Sequence, residues 1–480
     1  MAVNIIRAIS KENIKHFFEK PERVFLTLAS IFGLAMIVCM PIFMAPDESA
    51  HFYRAYEISE GHFVSQTVGK NTGDKMPIQL NKVVNDFSVG VRSGAHPPLA
   101  YPEYYTKKIS NQPEVFTDFR SSALYSPVSY IPQSIGVGLG RLVYPSVGVM
   151  VTLGRIVNLS AYILLIYVAI RIAKQGKWVY AAVGLFPVAI QQAASLSSDV
   201  MTIGVIFVYI ALLHRVFLQK EKLQRWQLIL FALLAVALAL TKQTNIVLFL
   251  PLLFLPNRVF TSIKQRIKII GAICIFALVA LVGWYMILKL RNYNLQTSGQ
   301  AGVNQSLQTS YLLHHPLSYI NTILHTYIYE GKHGLITPDF LITSMYGVFS
   351  WISYKLPLSF TLLGYVTLFF ALFHRSQGEI SNDKQIGKLS LLQIATFLAS
   401  IVAIASALYL TWTPVASPQV WGLQGRYFIP LIPLLIPVCM WLTKYIQVSF
   451  KKPMYLGVLI GSIAVLNLTA MVALTLVWFE

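Results

Sequence analysis

A chain of 480 residues that is 55% hydrophobic and only 12% charged is not composed like a soluble globular protein, in which charged residues make up about a quarter. The composition also excludes a disordered chain and a secreted disulfide scaffold, and it leaves a polytopic membrane protein. The net charge of +19, from 38 Lys and Arg against 19 Asp and Glu, would point to nucleic acid on a soluble domain; in a membrane protein it reports orientation instead.

The first 23 residues are polar and basic, with Arg7, Lys11, Lys15, Lys20 and Arg23, and suit a cytoplasmic N-terminus. The apolar run 24–44 is too long for the core of a signal peptide, and no small-residue cleavage site closes it, so an uncleaved first span is expected. Ten further apolar runs follow, at 148–170, 178–194, 199–217, 226–241, 244–256, 268–289, 356–373, 389–410, 426–444 and 454–478. The stretch 127–144 is apolar but broken by Pro and Gly, and fits a re-entrant or interfacial segment. With the N-terminus inside, six short segments are cytoplasmic: 1–23, 171–177, 214–225, 257–268, 374–388 and 444–453. They hold 22 of the 38 Lys and Arg but 6 of the 19 Asp and Glu, so +16 of the charge lies there and +3 everywhere else. Counting 127–144 as a full span would put the later basic loops outside, against the positive-inside rule. The expected architecture is an all-α polytopic membrane protein of about eleven transmembrane helices, N-terminus in and C-terminus out. Its single transmembrane domain, 24–480, carries a large first outer loop, 45–147, and a second, 291–355. Function concentrates on such loops, so the chemistry is expected on the outer face. No internal repeat supports an inverted-repeat transporter. Cys39, Cys274 and Cys439 lie in apolar runs with no disulfide or zinc spacing.

The first span runs directly into PDESAHFYRAYEISEGHF, residues 46–63. Pro46 suits a helix start, Asp47 and Glu48 its first turn, and Gly61 its stop. At helical spacing Asp47, His51 and Arg54 share a face. Asp47 and Glu48 either cap this helix or supply a general base at the membrane boundary. There desolvation raises a carboxylate's pKa and a nearby cation opposes the shift.

These residues carry a resemblance. PDESAHFYRAYEISEG resembles the signature of a bacterial family of predicted membrane proteins, domain of unknown function 2142. SPVSYIPQSIGVGLGR (126–141), FPVAIQQAASLSSD (186–199) and QGRYFIPLIPLL (424–435) are similar to its later segments in the same order. The family is in turn similar to GT-C glycosyltransferases, multispanning enzymes that use polyprenyl-phosphate sugars and carry an acid in the first outer loop. The resemblance implies juxtamembrane helices in that loop, Asp47 as catalytic base and Glu48 as a supporting acid or metal ligand. The HPPL stretch at His96 is also similar to GT-C first loops.

A polyprenyl-phosphate donor needs cations near the membrane surface to hold the departing phosphate. Arg426, flanked by Gln424 and Tyr427, opens the tenth span and is the first candidate; the alternative is an interfacial arginine beside a tyrosine anchor. Arg54 is a second. Arg155, inside the second span, must pair with an acid or face a polar cavity. Lys242 is either an interfacial lysine or a donor contact. Asp199, after Ser197 and Ser198, is either a helix cap or a group at the cavity mouth. In the second outer loop Glu330, Lys332 and His333 are candidate acceptor or phosphate contacts, and the His spacing there matches no metal pattern. No cofactor is expected, although the GT-C resemblance leaves a divalent metal open.

The expectation is therefore an inverting membrane glycosyltransferase of the bacterial plasma membrane. It would move a sugar from a polyprenyl-phosphate donor to a cell-envelope glycan or lipid-linked acceptor on the extracytoplasmic side. The rivals are a flippase of lipid-linked saccharides, an envelope glycan polymerase or ligase, and a scaffold subunit. No phosphate loop, dinucleotide fingerprint, nucleophile elbow or HExxH motif supports a soluble-type enzyme.

Overall fold

The computed structural model describes residues 17–92, 102–109, 113–293, 301–328, 338–373, 383–443 and 452–479. Helix α1 (Pro21–Cys39) is followed by a turning connection, Met40–Asp47, and by α2 (Glu48–Ser59). Glycine ends α2 as its conformational freedom allows. Gly61 sits at φ 90° and its N–H returns to the Ile58 carbonyl at 3.0 Å.

The loop after α2 then builds a small antiparallel sheet in the order β1–β2–β3: β1 (Gln66–Val68), β2 (Asn71–Pro77) and β3 (Glu114–Asp118). Val68 pairs with Asn71 across a two-residue turn, and Asp74 pairs with Thr117. Helix α3 (Ile78–Arg92) leaves β2 directly. The described residues are mostly helical, in keeping with the expected all-α membrane fold, and this small sheet is an addition to it. Its strands alternate too weakly to stand out against the apolar spans, and register comes from tertiary pairing.

The segment 127–144 folds as a short 3-10 turn and α4 (Ile131–Val143), thirteen residues and about 20 Å long, against a hydrocarbon core of about 30 Å. Its glycines let it lie directly on α5 (Val147–Ile172). A Cβ on Gly136 would stand 2.4 Å from the Leu153 carbonyl, and one on Gly140 would stand 2.6 Å from Met150 Cα. Such small-residue faces are how helices approach closely in membranes.

The eleven apolar runs all fall on helical segments, but seven helices among the described residues are long and apolar enough to cross a membrane. These are α1, α5, α8 (Asp199–Leu218), α10 (Ile263–Leu290), Lys384–Thr411 within α14 (Asp383–Thr411), Gly425–Leu442, and Met454–Trp478 within α16 (Lys452–Phe479). The others are short or broken. The run 178–194 is divided by Pro187 into α6 (Lys177–Gly184) and α7 (Pro187–Ala193). The carbonyls freed by that break are recovered: Gly184 accepts from Tyr162 at 2.9 Å and Leu185 from Asn467 at 2.9 Å. Helices α9 (Arg225–Thr241) and α13 (Leu358–Phe373) fall short of 18 residues, and 243–253 is mostly 3-10. Gly425–Leu435 is also 3-10, with Pro430 and Pro433 inside it, and continues into α15 (Ile436–Leu442). At about 2.0 Å per 3-10 residue this 18-residue segment still extends about 32 Å.

The segment between α10 and α13 contributes α11 (Gln305–His314), α12 (Pro316–Ile328) and a hairpin of β4 (Val348–Phe349) with β5 (Tyr354–Lys355). The most buried elements are α6, α7 and α8, so the core of the molecule lies under the connection that follows α1.

Candidate functional site

Two neighbouring carboxylates leave α1 in opposite directions. Asp47 has left-handed backbone, φ 58°, and although it stands at the N-cap of α2 its side chain makes no capping bond. Its carboxylate is 55% exposed and faces Arg426, Nη2 to Oδ2 3.7 Å. Capping, the alternative reading of Asp47, is therefore not what the side chain does.

Glu48 is fully buried and accepts from Arg155 at both oxygens, Nε to Oε1 2.8 Å and Nη2 to Oε2 2.7 Å. Oε1 also accepts the Leu196 N–H at 3.1 Å. The same guanidinium donates to the carbonyls of Met40 (2.6 Å) and Pro41 (2.8 Å). Arg155 thus closes both ends of the connection that carries Asp47. Of the two alternatives for Arg155 the structure shows pairing with an acid, and Glu48, implied as a supporting acid or metal ligand, is that partner: each satisfies the other in the core. As a metal ligand Glu48 has no free oxygen, and among the described residues no group of His, Cys, Asp and Glu is arranged to hold an ion. The divalent metal left open by the resemblance finds no donor set here.

Arg54, the second candidate for the phosphate, is corrected to a structural pairing. It is fully buried, pairs with Glu57 and donates to the carbonyls of Phe63 (2.9 Å) and Tyr125 (3.2 Å). Glu57 also accepts from Ser65 at 2.9 Å, and burial pushes its carboxyl up to about 7 against the pull of Arg54. Arg54 therefore fixes the backbone at Tyr125 rather than meeting a ligand.

A cavity of about 1470 Å³ opens beside Asp47. Asp47, His51, Asp199, Lys242, Gln424, Arg426 and Tyr427 all line it, brought together from α2, the start of α8, the end of α9 and the start of the 3-10 segment. Asp199 holds Lys242, Nζ to Oδ1 2.7 Å. Lys242 Nζ and the Arg426 guanidinium each lie over the Tyr427 ring, at 5.3 and 5.4 Å from its centroid. Two cations therefore converge on one aromatic ring, and Asp47 pairs with one of them. The Arg426 side chain is 9% exposed, and its buried Nε finds no acceptor among the described residues. A buried donor without a partner calls for an explanation.

Arg426 begins a 3-10 segment, the Gly425 N–H is taken by Ser344 Oγ at 2.7 Å, and the Tyr427 N–H returns to the Gln424 carbonyl at 3.1 Å. Side chains, not free backbone donors, supply the positive charge. His51 places Nδ1 2.7 Å from the Tyr130 hydroxyl. Burial pushes its imidazole below the ordinary value, against the pull of Asp47 and Asp199 nearby.

Helices α8, α9, α10 and α14 add Ile203, Ile206, Leu240, Leu281 and Ile404, apolar side chains, to the lining of the same cavity. Trp284, Trp351, Trp412 and Trp421 line the cavity as well. Tyr125 was not singled out from the sequence. It lines the cavity within the field of Lys242, Asp199 and Asp47, and its backbone is fixed by Trp284 to the Leu124 carbonyl (3.0 Å) and by Arg54. Nothing in its spacing marks it; only the closeness of 124–126 to α9 and α10 reveals it. His96, Glu330, Lys332 and His333 lie outside the described residues.

Fold and site define a multi-pass helical membrane protein with a cavity lined by both ionic and apolar side chains. The chain belongs to the family described as Predicted membrane protein (DUF2142), whose model matches residues 30–435. No curated protein and no solved structure matches it.

Proposed function

We propose that this protein is a membrane glycosyltransferase of GT-C type. The observation that carries the reading is the cation pair Lys242 and Arg426 around Tyr427, beside the half-exposed carboxylate of Asp47, in a cavity lined also by apolar residues of α8, α9, α10 and α14. A polyprenyl-phosphate sugar matches that lining, with its chain on the apolar residues, its phosphate on the cations and its sugar towards the tryptophans.

In the reaction Asp47 takes the proton of an acceptor hydroxyl, and the oxygen attacks the anomeric carbon. The bond from that carbon to the phosphate oxygen breaks, and its electron pair leaves on the carrier phosphate against Arg426 and Lys242. Charge that develops on the leaving oxygens meets donors already in place, which lowers the barrier without reorganisation at the moment of reaction. In-line attack inverts the anomeric centre. The acceptor is a cell-envelope glycan or lipid-linked saccharide.

The topology that supports this reading has eleven crossings in the bacterial plasma membrane. They are the seven long helices together with 177–193, 225–241, 243–253 and 358–373. The +16 of cytoplasmic charge sets the N-terminus in and the C-terminus out, and with it the cavity on the extracytoplasmic side. Helix α4 is left out of the count because a crossing there would put the later basic loops outside; it lies in the outer leaflet.

The test uses full-length protein in liposomes with a radiolabelled polyprenyl-phosphate sugar and an envelope acceptor. Transfer with inversion is expected. Movement of the labelled lipid between leaflets with no transfer would instead support a flippase.

A further inference from the structure

The connection that carries Asp47 has little secondary structure of its own, yet a residue 308 positions away in sequence holds its middle. Trp351 Nε1 donates to the Phe43 carbonyl at 3.1 Å. Trp351 stands at the tip of the β4–β5 hairpin between two residues with left-handed backbone, Ser350 at φ 55° and Ile352 at φ 67°. That conformation is uncommon outside glycine and a true outlier for a β-branched residue, and it persists only where the surroundings hold it. Here Ser350 is buried and its Oγ accepts from Trp478 Nε1 at 3.2 Å, while the hairpin closes with Leu356 N–H to the Gly347 carbonyl at 2.8 Å. The receiving connection is strained as well, at Phe43 (φ 63°) and Asp47 (φ 58°). Of the six non-glycine residues with positive φ among the described residues, four lie on the two sides of this one contact. Trp351 and Ile352 line the same cavity as Asp47.

We propose that Trp351 is a positioning residue for Asp47, and that the hairpin tip, Trp351 with Ile352, is the wall on which the acceptor hydroxyl rests while Asp47 takes its proton. The acceptor half rests on the glycosyl-transfer reading; the positioning half does not. Arg155 pins the ends of the connection at Met40, Pro41 and Glu48, and Trp351 pins its middle. Without the middle bond Asp47 relaxes from left-handed to ordinary N-cap backbone. Its carboxylate then turns to the open N–H groups of α2, where an Asp is favoured. The helix gains a cap and the cavity loses its base.

Trp351→Phe keeps the ring and removes the N–H. In full-length protein in liposomes, kcat for transfer should fall at least 10-fold with KM for the donor within about 2-fold, since displacement of a reacting group by about 1 Å can cost 10²-fold. The melting temperature should stay level or rise, which a merely structural tryptophan would not give. A readout independent of the reaction is the labelling of Asp47→Cys by a membrane-impermeant maleimide, which should change at least about fivefold when Trp351→Phe is added. Ile352→Gly relaxes the tip without touching the indole; it should also lower kcat at unchanged or higher melting temperature, and it decides the matter if Trp351→Phe fails to fold. Unchanged labelling at position 47 together with unchanged kcat in the variant that folds overturns the proposal. If wild type transfers no sugar, the glycosyl-transfer reading fails, while the labelling comparison still decides whether Trp351 positions residue 47.

Discussion

Asp47 and Glu48 are neighbours with nearly the same chemistry and opposite fates. Glu48 is fully buried and bonded at both oxygens by Arg155; Asp47 is 55% exposed and meets Arg426 only at 3.7 Å. The difference is made by backbone. A left-handed residue at position 47 turns its side chain away from the helix it precedes, while Glu48 begins the regular helix facing α5. One acid is used up in holding the connection, and the other is left available by it. A tight ion pair in the core is thus evidence of architecture, and a loose one at a cavity wall is where chemistry has room to occur.

That contrast can be broken experimentally, and the largest effect is expected on the buried side. Glu48→Ala leaves the Arg155 guanidinium uncompensated in the core and should destabilise the protein by about 3–5 kcal/mol, seen as loss of monodisperse protein in detergent and a large drop in melting temperature. Asp47→Asn should leave the melting temperature nearly where it is. On the cavity side, if the proposed transfer holds, Arg426→Gln should weaken use of a polyprenyl-phosphate sugar by about 10–100-fold in kcat/KM, corresponding to about 1.5–3 kcal/mol for a hydrogen bond to a charged group. Lys242→Met should act in the same direction, read in the same transfer assay.

The smallest effect concerns pH. Burial raises Glu57 to about 7, so between its unfolded value near 4.5 and about 7 the native state binds more protons than the unfolded chain. The stability this group contributes is full below about 4.5 and is lost as pH rises towards and through 7. His62, raised by its bond to Asp74, loses its contribution in the same direction above its unfolded value near 6.5. Amide exchange in 54–74 should therefore be slower at pH 5.5 than at pH 8, after correction for intrinsic rates, and Glu57→Gln should flatten the difference.

Much of the architecture was legible because hydropathy and charge are local. The apolar runs, the juxtamembrane helix opening at Asp47 and closing at Gly61, and the interruption at 127–144 all come from composition over a few turns. Asp47, Asp199, Lys242 and Arg426 stand out singly, as charges at the ends of apolar runs, and they meet around one cavity. What could not be read was pairing. Glu48 and Arg155 are 107 residues apart, and no spacing rule joins them. Arg54 was grouped with Asp47 and His51 by helical periodicity, but its Glu57 partner, three residues on, turns it into the loop after α2. The sheet, the broken helix at Pro187, and the role of Trp351 likewise depend on contacts that only the folded chain makes.

The central claim is that Asp47 is the base and Glu48 is not, and transfer by Asp47→Asn beside wild type tests it most directly. In liposomes loaded with the same polyprenyl-phosphate sugar and acceptor, the variant should fold, bind donor as wild type does, and lose transfer by about 10²-fold or more, in keeping with the worth of a positioned general base. Equal transfer by folded Asp47→Asn and wild type would contradict the account.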